Sequence, residues 1–125
     1  MNAWVISKDF AFSASHVLNG LPEGHQCGRL HGHNYVIRVE LRSDQLDDTG
    51  FVLDYGDLAP FGRWLDATLD HRHLNDALPL GQPSSEHLAR YLAGMVHVLV
   101  SIPPHVEVGV AVSETPKSWC WWRPW

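Results

Sequence analysis

The segment Cys27-Gly28-Arg29-Leu30-His31-Gly32-His33 places a thiol and two imidazoles within seven residues. All three side-chain types bind metal ions or move protons. His31 and His33 are two apart, so on an extended backbone they point to the same side of a strand. Two imidazoles on one face, with a thiol upstream on a glycine-punctuated loop, suit a metal ion with a nucleophile or base beside it. The dipeptide spacing says little by itself. A third histidine in the same register says more.

That histidine comes from the preceding strand. Residues Trp4 to His16 read as extended, with Phe10, Phe12, Ala14 and His16 on the even face and Asp9, Ala11, Ser13 and Ser15 on the odd one. From His31 to Arg42 the odd positions are His31, His33, Tyr35, Ile37, Val39 and Leu41, alternating with Gly32, Asn34, Val36, Arg38, Glu40 and Arg42. This is the half-buried pattern of antiparallel strands. A lone histidine on an apolar face is most often packing. Three on one inward parity form a ligand set: if the strands pair, three neutral nitrogens and a water make a catalytic zinc site with an open position.

The remaining elements frame that pair. Asp47-Asp48-Thr49-Gly50 signals a turn, and Phe51 to Asp54 predicts a short strand returning beside the second. Asp54 or Asp57 caps a helix running to about Leu69, with Leu58, Phe61, Leu65 and Leu69 inward. Leu74 to Pro83 reads as irregular because Pro79, Gly81 and Pro83 interrupt it. A second helix starts at Ser84 or Ser85, carries Glu86 in its first turn and ends at Pro103-Pro104. Val106, Val108, Val110 and Val112 then mark a half-buried strand, and Trp119 to Arg123 a last one. The return strand aside, the order is β-β-α-α-β-β over one domain, residues 1–125. The expected class is α+β, a four-stranded antiparallel sheet with two helices on one face. Such a sheet leaves two edges unpaired, which invites assembly through them.

Composition narrows the partners. With 45% hydrophobic and 18% charged residues the chain is globular. A formal charge of −5 with no basic run argues against nucleic acid and membrane surfaces. No apolar run is long enough to span a bilayer. The two cysteines, Cys27 and Cys120, allow one disulfide, but the absence of a cysteine framework or signal segment favours a reduced cytoplasmic protein. Of six tryptophans, all but Trp64 lie near the termini, so either the ends pair in one sheet or they bury aromatic surface against another subunit. Cys120, between tryptophans, reads as packing.

Two further features carry chemistry. Glu114 continues the inward parity of Val106 to Val112, so it is either a strand-end acid reaching solvent or a carboxylate that grips a flat pair of N–H donors. Asp70-His71 follows the first helix directly. It is either a capping feature or, with Cys27, a proton-transfer relay in which the carboxylate orients the imidazole.

The run from His25 to Tyr35 resembles the signature of the 6-pyruvoyl-tetrahydropterin synthase superfamily, and most closely its bacterial 6-carboxytetrahydropterin synthase branch in the queuosine pathway. Phe10 to His16, Leu69-Asp70-His71, Leu74-Asn75-Asp76, Pro83-Ser84-Ser85-Glu86 and Ser113-Glu114-Thr115 extend the likeness over nearly the whole chain. The short spacing from Cys27 to His31 separates it from the biopterin-making enzymes, and Cys27 itself from a branch that carries glutamate there. The resemblance implies a tunnelling fold: subunits joined edge to edge in trimeric barrels, and two barrels stacked into a homohexamer with active sites at subunit interfaces. It implies Zn2+ on His16, His31 and His33, catalysis by Cys27 with Asp70 and His71 of a neighbouring subunit, and a pterin held by Glu114 beside Ser84 and Ser85. The implied substrate is the small molecule 7,8-dihydroneopterin triphosphate. The implied products are 6-carboxy-5,6,7,8-tetrahydropterin, triphosphate and acetaldehyde. Gln26 stands where the bacterial enzymes often carry a basic residue, and the aromatic tail from Trp119 is expected to lie outside the chemistry.

Overall fold

Two long strands set the frame of the structure, a computed structural model that describes residues 2–125. β1 (Trp4–His16) and β2 (His31–Ser43) pair antiparallel, with Phe12 opposite Tyr35, Ala14 opposite His33 and His16 opposite His31. Even positions of β1 therefore meet odd positions of β2, and the two apolar sets share one face. Phe12 stacks on Tyr35 at 5.1 Å between ring centres, and Ile37, Val39 and Leu41 are buried behind them.

The helices cover that face. The Asp54 carboxylate accepts from Gly56 N at 2.8 Å and caps a 3₁₀ turn, Tyr55–Leu58, which leads into α1 (Ala59–Thr68). Ser84 caps α3 (Ser85–Leu99) by accepting from His87 N at 3.2 Å. Leu88, Ala89, Leu92, Ala93 and Val96 form the buried stripe of α3 against β4 (Glu107–Thr115).

The sheet departs from expectation in composition. It has five strands, in the order β3 (Arg72–His73), β1, β2, β4 and β5 (Ser118–Trp122), and is mixed, not four-stranded and antiparallel. β3 (Arg72–His73) runs parallel to β1 against Ala14 and Ser15. After α1 the chain is tied to the β1 edge: Asp70 Oδ1 accepts from Ser13 N, and His71 N donates to Ser13 O. Two residues are too few to show alternation, so sequence periodicity carries no trace of β3. The return strand expected over Phe51 to Asp54 is absent, because both edges of β2 are already taken by β1 and β4. Asp47 instead folds that stretch into a turn, its Oδ1 accepting from Thr49 N and Phe51 N at 2.9 Å. A third helix, α2 (Leu74–Ala77), occupies part of the segment read as irregular.

The tail does more than end the chain. β5 (Ser118–Trp122) pairs with β4, so the two termini sit in one sheet but in strands that do not touch. Beyond β5 the chain folds back over the polar sheet face. A methyl group added at Gly109 would lie 3.0 Å from the Trp125 ring and 3.1 Å from Arg123 Cγ, so any larger residue would push this cover outward. The Arg123 guanidinium holds both oxygens of Glu40, at 2.7 and 2.9 Å, and lies 4.5 Å over the Trp121 ring. Arg38 pairs with Asp9 and lies 4.7 Å over Trp119.

Glu40 is only 7% exposed, so its charge depends on Arg123. Arg123→Ala is expected to lower unfolding free energy by about 1–3 kcal/mol, the cost of an unsatisfied buried acceptor. Arg123→Lys, lacking the planar fork, recovers only part of it. Denaturant midpoints of the three proteins check this, and wild-type midpoints in both variants would show the pair contributes nothing.

Candidate metal centre

The register of β1 and β2 brings three imidazoles to one end of the sheet. One ligand nitrogen from each of His16, His31 and His33 lies within 4.8 Å of the other two. His16 is fully buried, and its Nδ1 lies 2.8 Å from the Pro83 carbonyl at the entry to α3. His31 Nδ1 lies 2.6 Å from the Arg29 carbonyl. A carbonyl oxygen only accepts, so in both rings Nδ1 carries the hydrogen and Nε2 presents a lone pair. Those two Nε2 atoms are 2.9 Å apart. Two lone pairs that close repel unless a proton or a cation lies between them.

His33 completes the set. Its Nε2 is buried and has no hydrogen-bond partner among the described residues. Burial pushes its pKa below the ordinary imidazole value, and His16 and His31 add to that against the opposing pull of Glu114. The ring is therefore neutral near pH 7. Three imidazole nitrogens, two in rings oriented by backbone carbonyls and one otherwise orphaned, are a donor set that fits a divalent metal with room for further ligands.

Glu114 stands next to this set at the end of β4. One oxygen lies 3.7 Å from His33 Nε2, and the other accepts from the Ser85 hydroxyl at 3.4 Å. The carboxylate thus joins the first turn of α3 to the histidines and is not a loose strand-end acid. Ser85, Glu86, Val112, Glu114, Trp119 and Cys120 line a cleft of about 290 Å³ here. Tyr35, beneath His16, has its phenol pushed up by burial and by Glu114, so it stays protonated.

The other candidates lie apart. Asp70 bonds His71 Nδ1 at 2.9 Å and Ser13 N at 2.9 Å; those bonds, the Ser13 N–H foremost, hold its carboxyl below the usual range. The His71 side chain is 83% exposed, on a backbone at φ 58°, a left-handed conformation strained for a non-glycine residue. Cys27 sits half-buried in the 3₁₀ turn Gln26–Gly28 of the β1–β2 loop, its N–H donating to His25 Nδ1. No hydrogen bond among the described residues joins Cys27 to Asp70 or His71. Ser84 has its hydroxyl in the helix cap.

Sequence reading missed the Pro83 and Arg29 carbonyls, because a backbone acceptor has no residue-type signature. It also took Cys120 for packing alone. The thiol borders the Glu114 cleft, and burial, Glu86 and Glu114 all push it up, which keeps it protonated.

Comparison with known proteins bears on this geometry. The profile of the family described as 6-pyruvoyl tetrahydropterin synthase matches residues 5–124. The chain is 42% identical over 94 residues to 6-carboxy-5,6,7,8-tetrahydropterin synthase of Synechocystis sp., covering 71% of each protein. It is 31% identical over 127 residues to the Bacillus subtilis protein of the same name, covering 95% of this chain and 84% of that one. The solved structure of Caenorhabditis elegans 6-pyruvoyl tetrahydropterin synthase superposes with a TM-score of 0.84 at 28% identity, covering 100% of this chain and 98% of the other.

Zn2+ used as a probe is expected to bind about one ion per chain and to raise the melting temperature. His31→Ala should lose the bound ion after dialysis and the thermal shift with it, while far-UV circular dichroism stays as in wild type, since the core lies away from His31. Full metal retention in that variant would remove His31 from the set.

Proposed function

Because the chain belongs to the 6-pyruvoyl tetrahydropterin synthase family, we propose that it is a zinc-dependent 6-carboxy-5,6,7,8-tetrahydropterin synthase. Its substrate is 7,8-dihydroneopterin triphosphate, and triphosphate and acetaldehyde leave. The observation that carries this reading is the orphaned, neutral His33 nitrogen beside His16 and His31, 3.7 Å from the Glu114 carboxylate. The names borne by the Synechocystis and Bacillus relatives favour the carboxy-pterin product over the pyruvoyl one.

His16, His31 and His33 would hold Zn2+, which when bound supplies Lewis acidity to side-chain oxygens of the substrate. The chain's own groups do the rest. Glu114 accepts from the ring N–H and the exocyclic amine on the pyrimidine edge of the pterin, a charge-assisted bidentate contact. Ser85 steadies that carboxylate, and Ser84 places Ser85 by capping α3. Cys27 takes and returns protons at the side-chain carbons. His71, oriented by Asp70, is its partner in the relay.

An exposed His71 with no bond to Cys27 in its own chain fits a site shared between two copies, and the reading includes a homohexamer built from two trimers. β5 and most of β1 leave their outer edges unpaired, which supports joining through the sheet. Two free cysteines support a reducing, cytoplasmic setting.

Zinc-loaded protein incubated with dihydroneopterin triphosphate is expected to release triphosphate and acetaldehyde in equal amounts. Triphosphate without acetaldehyde would identify a 6-pyruvoyl-tetrahydropterin synthase instead, and release of neither would leave a pterin- or metal-binding protein. Mixing inactive Cys27→Ala and His71→Ala chains should restore part of the activity, because some mixed sites contain neither lesion. No recovery after demonstrated subunit exchange would confine the site to one chain. Glu114→Gln turns one acceptor into a donor facing a donor, and is expected to cost at least ~2 kcal/mol of pterin affinity with zinc content unchanged. Titration with a pterin analogue measures it.

A further inference from the structure

Cys27 stands on a loop with little to place it. From Asn19 to Leu30 every residue but Cys27 is exposed, so no buried apolar anchor fixes the path of the chain. Gly20 and Gly24 turn at φ 78° and 84° with open space around them. The bonds of the 3₁₀ turn are local: Gly28 N to His25 O, Arg29 N to Gln26 O, and Cys27 N to His25 Nδ1. Among the described residues, two hydrogen bonds lead out of residues 20–29. One runs from His31 Nδ1 to the Arg29 carbonyl, and the other from Leu18 N to Cys27 O at 3.1 Å. Only the second reaches the residue that carries the thiol.

Leu18 holds its position because both its neighbours are gripped. Val17 N donates to Asn75 Oδ1, and Val17 O accepts from Asn75 Nδ2, both at 2.9 Å. Asn19 N donates to Gln82 Oε1 at 2.9 Å, and Asn19 O accepts from Gln82 Nε2 at 2.8 Å. In an extended segment the backbone groups of residues i and i+2 face one way and those of i+1 the other. Two amides on one side therefore leave the Leu18 N–H facing Cys27. Each amide presents a donor and an acceptor in one plane, the pair that a neighbouring strand would offer.

Both amides are themselves anchored. Asn75 follows Leu74, which is fully buried, in α2. Gln82 precedes the buried Pro83, and its carbonyl accepts from Ser84 N at 2.9 Å and from His87 Nδ1 at 2.7 Å.

We propose that Asn75 and Gln82 are positioning residues for the reaction: by clamping Val17 and Asn19 they set where the Cys27 thiol stands relative to the three histidines. The inference rests on the reading of Cys27 as the group that moves protons, yet the placement of the thiol can be measured without turnover.

Zinc-loaded wild type, Asn75→Leu and Gln82→Met are compared; each substitution keeps the approximate size of the side chain and removes both of its bonds. Iodoacetamide alkylation is followed at Cys27 and Cys120 separately by peptide mass spectrometry, beside zinc content, kcat and KM for dihydroneopterin triphosphate. Cys27, freed from Leu18, should alkylate at least ~3-fold faster, with the Cys120 rate and zinc content unchanged. The kcat should fall at least ~10-fold, the effect of a misplaced group, while KM stays within about twofold. Val96→Ala, a core truncation towards the far end of α3, should lower the melting temperature without moving Cys27 alkylation or kcat. In an active enzyme, a wild-type kcat or a wild-type Cys27 rate in a folded variant overturns the proposal. So does a parallel rise at Cys27 and Cys120, which would mark general loosening. If Asn75→Leu does not fold, Gln82→Met decides by the same criteria. If wild type turns over no substrate while the variants expose Cys27 alone, the positioning stands and the proposed reaction falls.

Discussion

Everything at the functional end of this molecule depends on the register of β1 against β2. With His16 opposite His31 and Ala14 opposite His33, one even-numbered and two odd-numbered histidines converge on a single face. A slip of one residue would send the apolar set of one strand, and its histidine, to the opposite side. The register is strongly specified, because the same pairing buries Phe12, Tyr35, Ile37, Val39 and Leu41. Folding energy and site geometry are set by one alignment.

Position alone does not make an imidazole a ligand. The Pro83 and Arg29 carbonyls fix the tautomers of His16 and His31, and they do so from two different loops. Those loops are themselves clamped. Asn75 bonds both the N–H and the carbonyl of Val17 at 2.9 Å, and Gln82 does the same for Asn19 at 2.9 and 2.8 Å. Each amide side chain mimics a strand partner for the start of the β1–β2 loop, the loop that later delivers Cys27. Pro83 then passes directly into the Ser84 cap, so the entry of α3 and the orientation of the buried histidine are one mechanical unit.

The opposite sheet face works differently. There the cations are held by carboxylates and stacked on tryptophans, with Arg38 between Asp9 and Trp119 and Arg123 between Glu40 and Trp121. The arrangement pins the tail over Gly109 and keeps β5 in place beside β4. Because Trp119 and Cys120 of β5 line the Glu114 cleft, the tail expected to lie outside the chemistry forms one wall of the candidate site.

Sequence alone was enough for whatever follows from periodicity and capping. The half-buried alternation expected for β4 is overturned, because Ala111 and Ser113 on its other face are buried too. The alternation of β1 and β2, the inward parity of His16, His31, His33 and Glu114, and the start of α3 at the Ser84 cap are local properties of neighbouring residues. They are written in residue order and survive into the fold. Tertiary structure decided what depends on groups far apart or without a side chain. β3 exists because Asp70 and His71 bind Ser13, the expected strand at Phe51 fails because β2 has no free edge, and two backbone carbonyls, that of Pro83 far from His16 in sequence, choose the tautomers. Which arginines are paired was likewise settled by packing: Arg38, Arg42 and Arg123 look the same in sequence whether or not a carboxylate waits for them across the sheet.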